Sequence, residues 1–254
     1  MTHALRRPGR SNHLEQALCR TWMGPVDHRR GGSAKGPWWR LYKGALPICQ
    51  RAAKLAAMAD ILLLDAMGVL YQSGDDVAEL LIPFVYRHGR PGLSAETIEQ
   101  EYVAASLGDM DTTTFWRRLG VDPALEDDYL AAHRLIEGTR ETLPLLRRRF
   151  QRIACLSNDI ADWSVKLRRR FGLEDWIDPW FISGDLGLRK PSAEIYSLVL
   201  ERLRSKPQDV VFVDDRPRNL DTAKALGLQT ALLDLRGEMQ DHPHRNLRRL
   251  AGLL

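Results

Sequence analysis

The stretch ILLLDAMGVLYQSGDD, residues 61–76, joins an apolar run directly to an aspartate and a glycine turn. Four apolar residues without alternation are typical of a strand that is covered on both faces of a parallel sheet. Asp65 follows at once, so the strand would deliver a carboxylate to the edge of the sheet. A carboxylate there can serve as a nucleophile, a metal ligand or a helix cap. Two residues later, where a partner acid is expected, the chain has Met67.

From residue 58 onward, apolar runs of strand length alternate with segments of helical periodicity. The predicted strands span residues 61–64, 152–157, 180–183, 210–215 and 229–235. Helices are predicted between the later strands, and several helical stretches fill residues 76–150. This order predicts an α/β fold: a doubly wound, mostly parallel Rossmann-like sheet with a small helical cap inserted after the first strand. We assign residues 58–75 and 151–254 to the core domain and residues 76–150 to the cap.

The N-terminal segment differs from the rest of the chain in charge. Residues 1–57 hold eleven Lys and Arg against two acids, whereas the whole chain carries a net charge of +4. Gly, Pro and Arg interrupt every candidate helix or strand there, which predicts a disordered basic extension. Three interpretations stay open: a passive extension before Met58, an organellar targeting peptide, or an arm that stacks nucleic-acid bases on Trp22, Trp38 and Trp39. The first is favoured, so nucleic acid is not the expected partner.

The composition favours a cytoplasmic protein. The three cysteines, Cys19, Cys49 and Cys155, are odd in number and form no CxxC pair. A disulfide framework or a zinc site is therefore not predicted. No run approaches the roughly 18 apolar residues that a membrane helix needs, so membrane contact is not predicted either.

Polar side chains cluster at or just beyond the ends of the predicted strands. In a doubly wound sheet these ends meet at one edge, where ligands bind. Carboxylates suit Mg²⁺, a lysine neutralises phosphate oxygens, and hydroxyl and backbone N–H groups donate to those oxygens. The set comprises Asp65, Gly68 of the turn, Ser157, Asn158, Lys190, Asp214 and Asp215. These residue types together predict a site for chemistry at phosphorus.

Four segments resemble, in order and chemistry, the motifs of the haloacid dehalogenase (HAD) superfamily. They are DAMGVLY (65–71), CLSND (155–159), GLRKPSAEIY (187–196) and VFVDDRPRNLDTAKALG (211–227). The resemblance covers about residues 59–250. It points to the subgroup with a helical cap, which includes sugar-phosphate phosphatases, the phosphatase domain of epoxide hydrolases and 2-haloacid dehalogenases.

The resemblance implies a role for each residue of the set. Asp65, Lys190 and Ser157 would be catalytic, with Asp65 as the nucleophile. Substrate would be bound by Ser157, Asn158, Lys190 and Gly68. A Mg²⁺ cofactor would be held by Asp65, the backbone carbonyl of Met67, Asp215 and Asp214. Asn219 stands where some relatives place a further acid. The implied substrate is a small phosphorylated metabolite, and the implied state is a monomer or homodimer.

Met67 departs from the family pattern. Family phosphatases usually carry an aspartate there, which protonates the leaving alkoxide and later activates water. Methionine can do neither, and such acid–base catalysis is typically worth about 10²–10⁴-fold. We therefore favour a Mg²⁺-dependent phosphatase that acts through an aspartyl-phosphate at Asp65 and works best on good leaving groups. The alternatives are a metal-independent 2-haloacid dehalogenase-like hydrolase and a non-catalytic binding protein. Asp75 and Asp76 are predicted to cap the first cap helix.

Overall fold

The computed structural model describes residues 59–234 of the 254-residue chain. They form a five-stranded sheet in which every neighbouring pair of strands is parallel. The strands are β1 (Ile61–Leu64), β2 (Arg152–Ser157), β3 (Trp180–Ile182), β4 (Val210–Asp214) and β5 (Gln229–Leu232). Their spatial order is β3-β2-β1-β4-β5, so the direction of winding reverses beside β1. The doubly wound α/β fold predicted from the sequence is confirmed.

Helices connect the strands. Those between β1 and β2 are a π-helical turn (Val77–Leu81), α1 (Ile82–His88), α2 (Ala95–Ala105), α3 (Thr112–Arg118), a 3₁₀ turn (Pro123–Leu125), α4 (Glu126–Ala131) and α5 (Thr139–Arg149). The later ones are α6 (Ala161–Phe171), α7 (Ser183–Leu186), α8 (Ala193–Leu203), a 3₁₀ turn (Pro207–Asp209) and α9 (Pro217–Ala225). The helical stretch predicted between the first two strands is thus present.

β1 is buried on both faces, which explains its uninterrupted apolar sequence. Leu62 and Leu64 belong to one apolar cluster, whereas Ile61 and Leu63 belong to a second. Because successive side chains of a strand point to opposite faces, the two clusters lie on the two sides of the sheet. This double cover fixes the position of β1 and, with it, the position of the residue that follows.

The helices after β1 bury their apolar side chains in the same cluster as Leu62 and Leu64. Trp116 of α3, Tyr129 of α4 and Trp163 of α6 pack ring against ring, with centroids 4.8 to 5.4 Å apart. The carboxylate of Glu126 accepts a hydrogen bond at 2.9 Å from the indole N–H of each tryptophan. These contacts join the helical segment to the sheet layer. The division into a core and a cap at residues 76–150 stays a prediction.

Some predicted boundaries differ from the structure. β3 ends at Ile182 because Ser183 begins α7, and β5 ends at Leu232 rather than at residue 235. The predicted basic extension over residues 1–57 lies outside the described residues. Between residues 59 and 234, no helix is both long and apolar enough to cross a membrane.

Candidate active site

The carboxyl ends of the central strands open on one small cavity of about 260 Å³. Asp65 directly follows β1, and Ser157 is the last residue of β2. Lys190 enters from the loop between α7 and α8. All three residues line the cavity, so the structure brings together side chains that are far apart in the sequence.

Lys190 carries the buried positive charge of the site. Its Nζ lies 2.8 Å from Asp65 Oδ1 and 2.8 Å from Asp214 Oδ2. It also donates a hydrogen bond to the carbonyl of Leu156 at 2.9 Å. An ammonium has three donors, and all three are used here. Burial alone would lower the pKa of Lys190, but the carboxylates of Asp214 and Asp65 outweigh burial and raise this pKa above its ordinary value.

Asn158 fixes the backbone of Lys190. Its Nδ2 donates to the Lys190 carbonyl at 2.9 Å, and its Oδ1 accepts the Lys190 N–H at 2.8 Å. The hydroxyl of Tyr102 donates to the Asn158 carbonyl at 3.1 Å. Asn158 therefore acts first as a positioning residue, with one amide hydrogen left over. Its predicted contact with substrate stays a prediction.

Asp214 is surrounded by hydrogen-bond donors. Its two oxygens each lie 3.0 Å from Asn219 Nδ2, and its Oδ1 also accepts the backbone N–H of Arg216 at 2.8 Å. Its Oδ2 also accepts a hydrogen bond from Lys190 Nζ at 2.8 Å. A carboxylate whose oxygens are both engaged by donors has little left to offer a metal ion. The contacts favour Asp214 as the anchor of Lys190 and of α9, and its predicted role as a metal ligand stays a prediction.

Asp65 is held by one of its two carboxylate oxygens. Oδ1 receives Lys190 Nζ and the backbone N–H of Ala66, the latter at 2.6 Å. Oδ2 accepts no hydrogen bond from the residues that the structure describes. Burial raises the pKa of Asp65 well above its ordinary value, against the lowering effect of Lys190, and nearby Asp214 and Asp215 add to the rise. A second cation beside this carboxylate would favour its ionised form.

Asp215 supplies the clearest sign of a cation site. Its Oδ1 is buried and has no hydrogen-bond partner among residues 59–234. Oxygens of Asp65, Asp214 and Asp215 lie within 4.8 Å of one another. Burial and the charge of Asp214 raise the pKa of Asp215 to about 7, although Arg216 lowers it. An orphaned oxygen amid crowded carboxylates fits a hard divalent cation such as Mg²⁺.

Gly68 makes room for Asp215. Its φ is +72°, and a Cβ added to it would lie 2.1 Å from Asp215 Oδ2. Its N–H donates to the carbonyl of Tyr71 at 2.9 Å and so closes the turn. The predicted phosphate contact would require this bond to open. In this structure the glycine is needed for close approach, and the phosphate contact of its N–H stays a prediction.

Ser157 presents an unused hydroxyl to the cavity. The residue is buried, and within the described part of the chain its Oγ has no hydrogen-bond partner. Buried hydroxyls are normally paired, so an unpaired one that lines a cavity is available to a ligand.

Comparison with known proteins agrees with the fold. A family model described as a haloacid dehalogenase-like hydrolase matches residues 41–227. The chain belongs to this family. Ribulose-1,5-bisphosphate 5-phosphatase of Halopiger xanaduensis is 32% identical over 117 residues, which are 46% of this chain and 49% of that protein. The chain thus spans about half the length of that relative.

Solved structures of the HAD family share the fold. A HAD family enzyme of Bacteroides thetaiotaomicron, in complex with magnesium and inorganic phosphate, matches with a TM-score of 0.57 at 20% identity over 72% of this chain and 98% of its own. L-2-haloacid dehalogenase of Xanthobacter autotrophicus matches with a TM-score of 0.52 at 22% identity over 71% and 80%. Identities this low support the fold alone.

We expect Gly68→Ala to destabilise this HAD-family hydrolase more than a strained glycine alone explains. The alanine would combine a left-handed backbone with a clash against Asp215. The free energy of unfolding should fall by about 2–3 kcal/mol in urea titrations. Gly138→Ala is the matched control, because Gly138 has φ +82° but nothing within 4 Å of the added Cβ; it should lose about 1 kcal/mol. Equal losses of unfolding free energy in the two variants would show that a side chain at residue 68 does not clash with Asp215.

Asp75 and Asp76 do not share the predicted capping role. Asp75 Oδ1 accepts the backbone N–H of Ala78 at 3.1 Å, as a helix cap does. The side chain of Asp76 makes no capping hydrogen bond and is buried instead. The prediction is therefore wrong for Asp76, because a sequence pattern cannot tell which of two adjacent acids turns inward.

Arg189 and Arg216 line the cavity together with Arg218, and none of the three was predicted from the sequence. Arg216 Nη2 donates to the carbonyl of Gly74 at 2.9 Å. Arg189 donates to the hydroxyl of Ser106 and lies over the ring of Tyr102, 5.6 Å from its centroid. The available signal was adjacency, since each arginine stands next to a motif residue. Both add positive charge where an anionic ligand would bind.

Proposed function

We propose that this HAD-family hydrolase is a Mg²⁺-dependent phosphatase that forms an aspartyl-phosphate at Asp65. The observation that carries the proposal is the buried Asp65 carboxylate, fixed by Lys190 on one oxygen and adjacent to the unpartnered oxygen of Asp215. Attack of a carboxylate on a phosphate brings negative charges together. A site for that step needs positive charge; Lys190 supplies part of it, and a cation beside Asp65 and Asp215 would supply the rest.

Each residue of the site has a distinct part in the proposed step. Asp65 attacks phosphorus with Oδ2 while Lys190 and the Ala66 N–H hold Oδ1 in place. The hydroxyl of Ser157 donates to a phosphoryl oxygen. Asp214 and Asn158 keep Lys190 oriented. Mg²⁺, when held by Asp65, Asp215 and the Met67 carbonyl, would neutralise charge on the phosphoryl oxygens.

We propose a small phosphorylated sugar or a similar metabolite as the substrate. The cavity of about 260 Å³ admits only a small molecule, and Arg189 and Arg216 supply positive charge around it. The Halopiger xanaduensis relative is by name a phosphatase of a sugar bisphosphate. Size, charge and this relative support the same class of substrate.

Met67 favours one second candidate, a metal-independent dehalogenase-like hydrolase. Its apolar side chain is only 6% exposed and lines the cavity, and a halide leaves without a proton. Without a cation, however, the Asp215 oxygen would stay buried and unpaired. That penalty is of the order of 1–3 kcal/mol, so the phosphatase is preferred.

The deciding experiment is a hydrolysis panel run with Mg²⁺ and with EDTA. It contains 4-nitrophenyl phosphate, acetyl phosphate, sugar phosphates and 2-haloacids. We expect Mg²⁺-dependent release of phosphate and no release of halide. Asp215→Asn should raise the Mg²⁺ concentration for half-maximal activity by at least about 10-fold, the lower end of what the loss of a supporting group does to metal affinity. Release of halide in EDTA, or no phosphate release at all, would contradict the proposal.

A further inference from the structure

Asp76 is a buried acid that the fold does not explain. It precedes the π-helical turn Val77–Leu81 and is 5% exposed. Its Oδ2 has no hydrogen-bond partner, and no ion pair neutralises it within the described range 59–234. Capping of the turn falls to Asp75. A buried carboxyl oxygen without a partner destabilises a protein, so an apolar residue would serve the fold better.

The location of Asp76 relates it to the proposed chemistry. It lines the same cavity as Asp65, Ser157 and Lys190. Met67 lines that cavity too, and its side chain can neither give nor take a proton. The site therefore lacks an acid at the predicted position and has, from another part of the chain, a buried acid with one unpartnered oxygen.

The surroundings of Asp76 keep it protonated more readily than a surface aspartate. Burial and the charge of Asp75 raise the pKa of Asp76 to about 6, against a lowering by Arg216. Its charge is also felt by the buried groups Asp159, Tyr102 and Tyr129, whose pKa values are raised mainly by their own burial. A carboxyl with such a pKa can exchange a proton near neutral pH, as a general acid–base group must.

We propose that Asp76 is the proton donor and acceptor of the reaction, in place of an acid at Met67. The inference rests on the proposed phosphatase function. As the Asp65 Oδ2–phosphorus bond forms and the bond from phosphorus to the leaving oxygen breaks, the Asp76 proton passes to that oxygen and an alcohol leaves. Water then attacks phosphorus and gives its proton to Asp76. The Asp65–phosphorus bond breaks, inorganic phosphate leaves, and both aspartates return to their starting state.

The test compares two leaving groups in Asp76→Asn, which removes the proton but keeps the size of the side chain. With the sugar phosphate that wild type hydrolyses fastest, the rate of the first step should fall by about 10²–10⁴-fold. With 4-nitrophenyl phosphate the burst of nitrophenolate should change by less than about 5-fold, because nitrophenolate leaves with little help from an acid. Asp128→Asn, which changes an exposed aspartate of α4 that does not line the cavity, is the matched control and should leave the ratio of the two rates unchanged.

A retained burst shows that Asp76→Asn is folded with a working nucleophile. Adding Met67→Asp to Asp76→Asn should restore part of the lost sugar-phosphate activity, because it supplies an acid at the position that Met67 occupies. If Asp76→Asn lowers both rates equally, or if wild type hydrolyses 4-nitrophenyl phosphate but no sugar phosphate, the role of Asp76 is overturned while the phosphatase stands. If wild type hydrolyses no phosphate ester, the proposed function itself fails and this inference fails with it.

Discussion

Asp65→Asn should abolish phosphate release from every substrate that the wild type accepts. The amide cannot form the acyl-phosphate, and the change also removes the negative charge that pairs with Lys190 at 2.8 Å. Loss of a nucleophile lowers kcat by about 10⁴-fold or more in well-studied hydrolases. The measurement is kcat/KM with 4-nitrophenyl phosphate at saturating Mg²⁺. A second measurement is covalent trapping, since the wild type should carry a phosphoaspartate or a beryllofluoride adduct at this position and the variant should not.

The matched control for this loss is Asp60→Asn. Asp60 stands at the opposite end of β1, is exposed, and accepts a hydrogen bond from Gln151 Nε2 at 2.7 Å. This control removes the same group from the same strand, away from the site. We expect activity within about twofold of wild type, as for surface substitutions in general. Substantial turnover by Asp65→Asn, with Asp60→Asn equally active, would mean that Asp65 is not the nucleophile and would favour a binding role for the fold.

The sheet could be predicted from the sequence because its signal is local. β1 and the first four residues of β4 are uninterrupted apolar runs, which are typical of a sheet covered on both faces. The strand ends could be predicted for the same reason, since parallel strands bring their carboxyl ends to one edge. Asp65 and Ser157 line one cavity on that basis, whereas Lys190 reaches it from the loop between α7 and α8.

The hydrogen-bond partners in the site could not be predicted, because they join residues far apart in the chain. The side-chain amide of Asn158 forms hydrogen bonds with the backbone of Lys190, 32 residues later. Asp214 is engaged by Lys190 and Asn219, whereas Asp215 beside it keeps a free oxygen. Two adjacent acids look alike in a motif, and their different partners arise only when the loops pack. Asp76 was misassigned for the same reason.

Lys190→Met should cause the largest loss of stability among the site variants. The methionine keeps most of the volume but leaves Asp65 and Asp214 buried without their cation, 8% and 0% exposed at their side chains. Removing one partner of a buried ion pair lowers the free energy of unfolding by about 3–5 kcal/mol. That is a large part of the roughly 5–15 kcal/mol that holds a typical domain together. The measurement is urea unfolding in EDTA, followed by the fluorescence of the tryptophans, which include buried Trp116 and Trp163.

We attribute the expected loss of stability in Lys190→Met to the burial of its ion pairs rather than to charge pairing as such. Two further variants separate these two causes. Lys166 lies 2.7 Å from Glu126, as close as the Lys190 pairs, but its side chain is 45% exposed. Lys166→Met should therefore lose only about 1 kcal/mol. Adding Asp214→Asn to Lys190→Met removes one of the stranded charges and should recover about 1–3 kcal/mol, the range of coupling between residues in one network. The two lysines differ in that the ion pairs of Lys190 are shielded from water, where charge interactions are stronger. Equal losses of stability in Lys190→Met and Lys166→Met, with no recovery in the double variant, would therefore show that Lys190 has no special electrostatic role.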